Sequence, residues 1–179
     1  PIANIIEDKF NHLKPEVVPT IENIFRLYEE KKKRANVMDF DVLLGNWRVL
    51  LKNQPRVAST LSKQFYYILV DEYQDTNTIQ AEIIEMLSSA HKNVVVVGDD
   101  SQSIYSFRAA DIKNILQFPK KFPGAKIFKL ETNYRSTPQI LELANHSINN
   151  NREQFEKHLK SVKIGAAKPA LAALGDSYQ

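Results

Sequence analysis

The sequence predicts an α/β fold in which a helical segment precedes a parallel sheet flanked by helices. Residues 65–75 (FYYILVDEYQD) are a short apolar run, rich in aromatic and β-branched side chains, that ends abruptly in acids. Such a run is typical of a strand buried on both faces in the centre of a parallel sheet. From residue 65 onward, strand and helix patterns alternate, which indicates βαβ units.

Composition limits the classes of protein that fit. With 179 residues, 43% of them hydrophobic, the chain can bury one sizeable core or one core plus a fragment of another. Its formal net charge of +3 only weakly favours a polyanionic partner. The sequence contains no cysteine, which excludes disulfides and thiolate metal sites and fits a reducing compartment, so we expect a cytoplasmic protein. No apolar run reaches the roughly 20 residues of a membrane span, so no membrane partner is expected.

Residues 1–64 are predicted to be helical. Apolar side chains recur every three or four positions in residues 16–34, which indicates an amphipathic helix. The four cations at residues 31–34 suit a helix C-terminus, with a phosphate-binding patch as the alternative. Asp39 stands at the N-cap position of a second helix. Residues 57–64 predict a third, shorter one.

Three segments predict consecutive strands that each end in polar residues. These are residues 65–70, residues 94–97 (VVVV) and residues 126–130. Helices are predicted after the first strand and at residues 111–118 and 137–150. Because the carboxyl ends of parallel strands meet at one edge of a sheet, we expect the three polar clusters to form one site.

Four residues in these clusters are candidates for chemistry. Asp71 could hold a divalent cation, and Glu72 could polarise an attacking water. Gln102 could sense a phosphate or orient water, and Arg135 could stabilise a transferring phosphoryl group. For each single residue the alternative is a helix cap, a solvated loop or an ordinary surface position.

Four segments of the sequence carry a resemblance when they are taken together. The segments are DFDVLL (residues 39–44), LVDEYQDT (69–76), VGDDSQSIYSFR (97–108) and LETNYRS (130–136). Together they resemble the ATPase core of superfamily 1 DNA helicases of the UvrD/Rep type. The last three match successive helicase motifs in order and spacing, and DFDVLL resembles a segment that precedes those motifs in the family.

The resemblance implies a partial RecA-like sheet, of the P-loop NTPase type, and a role for each matching residue in an ATP site. Asp71 would coordinate Mg²⁺, and Glu72 would be the general base that activates water. Gln102 would contact the γ-phosphate and couple it to the DNA-binding surface. Tyr134 would stack on the adenine, and Arg135 would contact the γ-phosphate.

The resemblance also implies a contact with single-stranded DNA. Tyr105 and Phe107 would pack against bases, and Arg108 would brace that segment or contact the neighbouring domain. From the residues alone, the two aromatic side chains could equally be buried. The family usually has glycine where this chain has Ser106 and Ala109, so a backbone with positive φ is harder to form here.

The phosphate-binding loop of the family is missing from the sequence. Nothing matches GxxxxGK[ST], and the five glycines are scattered. The chain is therefore expected to be an internal slice of a longer helicase. Residues 1–64 would be the end of an inserted helical subdomain, 65–150 a partial RecA-like ATPase domain, and 151–179 a linker and the start of a second motor domain.

The predicted function is that of a fragment of an ATP-dependent DNA helicase, inactive in isolation. Its partners would be single-stranded DNA, duplex junctions, ATP and the remainder of the parent helicase, with ATP and Mg²⁺ as cofactors. Two alternatives stay open. One is a nucleic-acid-binding module without an ATP role, and the other is a metal-dependent nuclease that uses Asp71, Glu72, Asp99 and Asp100.

Overall fold

A computed structural model describes residues 15–165 and 167–173. The chain divides into two compact units, Pro1–Val49 and Leu50–Gln179.

Two helices dominate the first unit. Helix α1 (Val18–Ala35) follows a 3-10 turn and ends at Asn36, whose left-handed backbone (φ 51°) lets its N–H donate to carbonyls of the last turn. Helix α2 (Phe40–Asn53) begins after Asp39 and extends into the second unit. The Asp39 carboxylate accepts a hydrogen bond from the Val42 N–H at 2.8 Å, which confirms the predicted N-cap.

Five α-helices lie among the described residues of the second unit. Their bounds are α3 (Pro55–Gln64), α4 (Thr78–Leu87), α5 (Lys113–Leu116), α6 (Phe118–Lys121) and α7 (Pro138–Ile148). Helix α4 starts with a capping box, in which Asn77 and Gln80 each accept from the other's backbone N–H. The predicted single helix at residues 111–118 is wrong, because the chain forms two short helices joined at Gln117. No helix among the described residues has both the length and the apolar character needed to cross a membrane.

Within residues 15–165 and 167–173, four short strands form two parallel pairs. Strand β1 (Ile68–Val70) pairs with β2 (Val94–Val96), with Leu69 opposite Val95. Strand β3 (Thr132–Asn133) pairs with β4 (Lys160–Ser161) in a separate sheet. The architecture is therefore a mixture of helices and small parallel sheets.

Two expectations about the sheet are wrong. The strand predicted at residues 126–130 is absent, and its apolar side chains are exposed; pairing starts two residues later, where β4 supplies a partner. The first sheet is not buried on both faces either. Leu69 is 76% exposed and its cross-strand neighbour Val95 is 55% exposed, so one face of this sheet is open in the described chain.

The other face of the first sheet packs on an aromatic core. Tyr73, Phe118 and Phe122 are buried together with Ile115, and Val70, Val94 and Val96 pack against them. The Tyr73 and Phe118 rings meet edge to face at 5.5 Å, and the Phe118 and Phe122 rings stack at 4.5 Å. This core anchors the turns that leave β1 and β2.

Candidate functional site

The turns after β1 and β2 lie side by side. The Val97 N–H donates to the Val70 carbonyl at 2.8 Å, and the Tyr73 N–H donates to the Val97 carbonyl at 2.9 Å. These two bonds continue the sheet beyond the strands and bring the two polar clusters together. The expectation that three polar clusters share one edge is thus confirmed for the two that follow β1 and β2. It is wrong for the third, at residues 131–133, because Thr132 and Asn133 pair with β4 in a separate sheet.

Glu72 occupies a tight turn at the end of β1. Its backbone is left-handed (φ 50°, ψ 42°), a conformation that residues other than glycine rarely adopt unless nearby contacts stabilise it. The Glu72 N–H donates to the Asp71 carboxylate at 3.0 Å, and the Asp75 N–H donates to the Glu72 carbonyl at 2.9 Å. Both Asp71 and Glu72 are exposed, so solvent reaches their carboxylates.

The Gln74 side chain connects the two turns through hydrogen bonds. This side chain is buried, and both ends of the amide are used. The Nε2 group donates to the Glu72 carboxylate at 2.7 Å and lies 3.4 Å from the Asp75 carboxylate. The Oε1 atom accepts from the Asp99 N–H at 3.0 Å. One amide therefore connects the acid after β1 to the backbone after β2.

Gly98 provides the space for that amide. A Cβ atom built at Gly98 would lie 2.5 Å from Gln74 Oε1 and 2.9 Å from the Ile115 side chain. Because both distances are far shorter than van der Waals contact, any larger residue would displace the Gln74 side chain. The glycine after β2 thus has a packing role that a sequence pattern does not reveal.

Asp99 and Asp100 bind a lysine from much later in the chain. Lys157 Nζ is hydrogen-bonded to the Asp99 carboxylate and, at 2.6 Å, to the Asp100 carboxylate. The second oxygen of Asp100 accepts from the Phe155 N–H at 3.0 Å, and the second oxygen of Asp99 accepts from Gln102 Nε2 at 2.7 Å. Gln102 is thereby linked through Asp99 to Gln74 and Glu72.

The pKa values of Asp99 and Lys157 reflect this pairing. Burial alone would raise the pKa of Asp99, but hydrogen bonds from Lys157 and Gln102 outweigh it and lower that pKa below 3.8. Burial alone would lower the pKa of Lys157, but its hydrogen bonds to Asp100 and Asp99 raise that pKa above 10.5. Both groups are therefore charged across the neutral range.

Residues 155–161, which we call the bridging segment, connect the two sheets. At one end Phe155 and Lys157 contact the acids after β2. Further along, the His158 N–H donates to the Glu131 carboxylate at 2.7 Å, and β4 then pairs with β3. A segment that sequence reasoning assigned to a linker thus contacts the acids after β2 and pairs with β3.

Tyr134 and Arg135 lie on the turn between β3 and α7. The Arg135 and Ser136 N–H groups donate to the Asn133 side chain at 2.9 and 2.7 Å, which fixes the turn. Both side chains point into solvent, with Tyr134 73% exposed. They belong to the second sheet, so the structure does not join them to the network of Glu72, Gln74 and Asp99 by hydrogen bonds between the described residues.

Tyr105, Phe107 and Arg108 form an exposed cluster, which we call the aromatic surface. The two ring centroids are 5.9 Å apart, and the Arg108 guanidinium lies 5.7 and 5.8 Å from them. Phe107 is 78% exposed, so it is not a core residue. Immediately after this surface, Ala109 adopts φ 64°, the positive value that was expected to be difficult without glycine.

The geometry does not favour a nuclease. Asp99 and Asp100 are neutralised by Lys157 rather than directed toward Asp71 and Glu72. Within residues 15–165 and 167–173, no three His, Asp or Glu side chains are grouped so as to hold a metal ion.

Sequence reasoning missed Gln74 and Lys157. Gln74 lies inside the acidic motif, and its position two residues after Glu72, just beyond the predicted strand, was the available signal. Lys157 carried no signal, because its partners are 57 and 58 residues away.

Comparison with known proteins identifies relatives of this chain by sequence. Residues 6–123 match the model of the UvrD/REP helicase N-terminal domain. The chain is 48% identical over 137 residues to DNA helicase II of Rickettsia typhi, covering 74% of this chain and 21% of the relative. It is 42% identical over 156 residues to the ATP-dependent DNA helicase Rep of Escherichia coli, covering 87% and 23%. Against the ATP-dependent DNA helicase PcrA of Staphylococcus aureus it is 42% identical over 148 residues, covering 83% and 20%.

The chain spans about a fifth of the length of these relatives. The family model covers the aromatic surface and the turns after β1 and β2, and it includes every residue of the Glu72, Gln74 and Asp99 network. By sequence, this chain belongs to the UvrD/Rep helicase family, in which it matches the N-terminal domain.

Proposed function

We propose that the chain is part of an ATP-dependent DNA helicase and carries the water-activating side of its ATP site. The observation that supports this most directly is the Glu72 carboxylate, exposed at the end of β1 and fixed by Gln74 at 2.7 Å. Gln102 is connected to it through Asp99. The relatives Rep and PcrA are named as ATP-dependent DNA helicases.

In this proposal Glu72 acts as the general base. One oxygen of its carboxylate accepts the Gln74 amide, which fixes the orientation of the group. The other oxygen can then accept a proton from a water molecule that attacks the γ-phosphate. Gln102 would contact that phosphate. Through its hydrogen bond to Asp99, the bound phosphate would affect the turn after β2.

Asp71 fits the role of Mg²⁺ ligand in its chemistry. Magnesium sites beside phosphates commonly use one or two carboxylates and complete the shell with water and phosphate oxygens. Asp71 is exposed, and one of its oxygens is already oriented by the Glu72 N–H. The ion would neutralise phosphate charge when bound. Tyr134 would stack on adenine, and the Arg135 guanidinium would contact the γ-phosphate.

The aromatic surface is proposed to bind single-stranded DNA. Exposed rings beside a guanidinium can stack on bases of any sequence, while the positive charge attracts the phosphate backbone. The exposure of Phe107 and the closeness of Arg108 to both rings support this assignment. Duplex junctions and the remainder of the parent helicase are the further predicted partners.

The ATPase proposal is tested in the full-length protein that contains this sequence. ATP hydrolysis is measured with and without single-stranded DNA for the native protein and for Glu72→Gln. We expect DNA-stimulated turnover in the native protein and a loss of about a thousandfold in the variant, since the general base is removed. Glu153→Gln, at an exposed position, is the matched control and should keep native turnover. A native-like rate in Glu72→Gln would refute the assignment.

The isolated 179-residue chain is predicted to show no measurable ATPase activity, because the sequence lacks the phosphate-binding loop. DNA-stimulated turnover by this chain, abolished by Glu72→Gln, would contradict that prediction. The cytoplasmic location and the division at residues 64 and 150 also remain predictions.

DNA binding is tested by fluorescence anisotropy with labelled oligonucleotides. We expect the double variant Tyr105→Ala and Phe107→Ala to weaken binding by about thirtyfold or more, because each of the two lost stacking contacts is worth about 1–3 kcal/mol. Phe128→Ala removes an equally exposed ring elsewhere and should leave the affinity unchanged.

The alternative of a binding module without an ATP role is supported by the same aromatic surface. Tight DNA binding that is insensitive to nucleotide, in a full-length protein without Glu72-dependent turnover, would favour it. Binding that survives loss of both rings would instead remove the DNA assignment from this surface.

A further inference from the structure

We infer that Gln74 is a positioning residue that holds the Glu72 carboxylate in its working orientation and makes that orientation depend on the turn after β2. The inference rests on the proposed function, since it assigns Glu72 to water activation. Its structural basis is the buried amide that contacts Glu72 at one end and the Asp99 N–H at the other.

The environment of Gln74 fixes its side chain. The residue is 1% exposed, and its backbone carbonyl accepts from the Ser103 hydroxyl at 3.3 Å. Ile115 and Gly98 limit the space around the amide, as shown by the short distances that a Cβ at Gly98 would make. A side chain confined in this way can hold an exposed partner still, because its own alternative rotamers are blocked.

The amide of Gln74 satisfies both ends of this arrangement, which neither a carboxylate nor an apolar side chain of the same length can do. Glu72 presents an acceptor and therefore needs a donor, whereas the Asp99 N–H is a donor and needs an acceptor. A glutamate at position 74 would place one carboxylate against another at hydrogen-bond distance. A methionine would fill the same volume but leave the Asp99 N–H without its partner.

The left-handed backbone of Glu72 adds to the need for a holding contact. Residues in this conformation are retained when the surroundings over-determine them. The carboxylate at 2.7 Å from Gln74 Nε2 and the Glu72 N–H on Asp71 together fix both parts of the residue. Without Gln74 the exposed carboxylate would sample several rotamers, and the fraction of molecules ready to activate water would fall.

A first experiment tests the geometry in the 179-residue chain without relying on activity. Amide hydrogen exchange is compared between the native chain, Gln74→Met and the control Gln64→Met at the exposed end of α3. We expect Gln74→Met to accelerate exchange of the Asp99 N–H by about tenfold or more. The Tyr73 N–H, bonded to Val97, should stay protected. Unchanged exchange at Asp99 would overturn the inference, and equal acceleration at both sites would reduce Gln74 to a structural role.

A second experiment measures catalysis in the full-length protein. Gln74→Met and Gln74→Glu should lower kcat by about tenfold to a hundredfold, since small displacements of a catalytic group have effects of this size. The KM for ATP and the Kd for single-stranded DNA should remain within about threefold of native values. A kcat within twofold of native for both Gln74 variants, while Glu72→Gln abolishes turnover, would overturn the inference alone.

Gly98→Ala approaches the same contact from the opposite side. Its added Cβ should displace Gln74 and lower kcat in the same way. In a Gln74→Ala background the clash with Oε1 disappears and only the one with the end of the Ile115 side chain remains, so Gly98→Ala should then cost less than in the native background. Full additivity of the two effects would overturn the proposed link. Absence of Glu72-dependent turnover in the native protein would overturn the proposed function and the catalytic part of this inference, whereas the exchange experiment would still decide the geometry.

Discussion

The ion pairs of Lys157 give the sharpest stability prediction. Lys157→Met keeps the aliphatic stem but removes the charge between Asp99 and Asp100. The Asp100 side chain is only 3% exposed, so its carboxylate would be left buried without a counter-charge. Breaking a buried pair costs about 3–5 kcal/mol. Asp99 is 31% exposed and adds little, and Asp100 keeps its bond from the Phe155 N–H.

We therefore expect the lower end of that range, about 3 kcal/mol in the free energy of unfolding, or roughly a 10 °C fall in Tm. Urea and thermal unfolding followed by circular dichroism would measure it at pH 7. Lys163→Met, at an exposed position shortly after the bridging segment, is the matched control and should change stability by less than about 0.5 kcal/mol.

Two further results would test the reasoning. Adding Asp100→Asn to Lys157→Met should recover at least half of the loss, because the uncompensated charge is removed. The contribution of the pair should be constant from about pH 5 to 9. It should decline as pH falls below 3.8, where Asp99 becomes protonated, and as pH rises above 10.5 toward the raised pKa of Lys157. A loss under 1 kcal/mol at pH 7, or no recovery in the double variant, would refute the argument.

Three other predictions concern single residues. Ala109→Gly should stabilise the chain by roughly 0.5–1 kcal/mol in urea unfolding, because φ is 64° there, whereas Ala110→Gly should not. Tyr73→Phe should be neutral or stabilising by up to about 1 kcal/mol, because the buried hydroxyl has no hydrogen-bond partner among the described residues. Burial and the nearby Glu85 charge raise the pKa of Tyr73 to about 12, so the free energy of unfolding should fall as pH rises from 10.0 to 12. Thermal unfolding of Tyr73→Phe across that pH range should show less of that loss. Hydrogen bonds from Lys32, the Val42 N–H and Tyr28 lower the pKa of Asp39 to about 2. Helix content measured at 222 nm should therefore fall as pH drops from 3.8 toward 2, and Asp39→Ala should lack that transition.

Local patterns predicted the helices well, whereas long-range pairing escaped them. The cap at Asp39 and the apolar periodicity of α1 each depend on a few neighbouring residues, so local sequence is enough to predict them. An apolar run such as residues 126–130 has the composition of a strand, but a strand also needs a partner. That partner, β4, starts at Lys160 and pairs only from Thr132 onward.

The sequence predicted where the candidate residues lie at the strand ends, but not the residues that hold them in place. Asp71, Glu72 and Gln102 stand where strand ends were expected, and the structure brings their turns together. Gln74 and Lys157 act through contacts across 25 and 57 residues of chain. Such contacts depend on the folded path of the backbone, which periodicity does not encode.

The bridging segment has a mechanical consequence. It is fixed at one end by Lys157 and Phe155 and at the other by the pairing of β4 with β3. If the chain after residue 161 leads into a second motor domain, as the sequence predicts, a pull from that domain would first load the pairing of β4 with β3, and a shift of β4 would then load Lys157. The load on Lys157 would reach Asp99, whose N–H is bonded to the same amide that holds Glu72. A displacement outside the site would then change the orientation of the Glu72 carboxylate through the hydrogen bonds of Asp99 and Gln74.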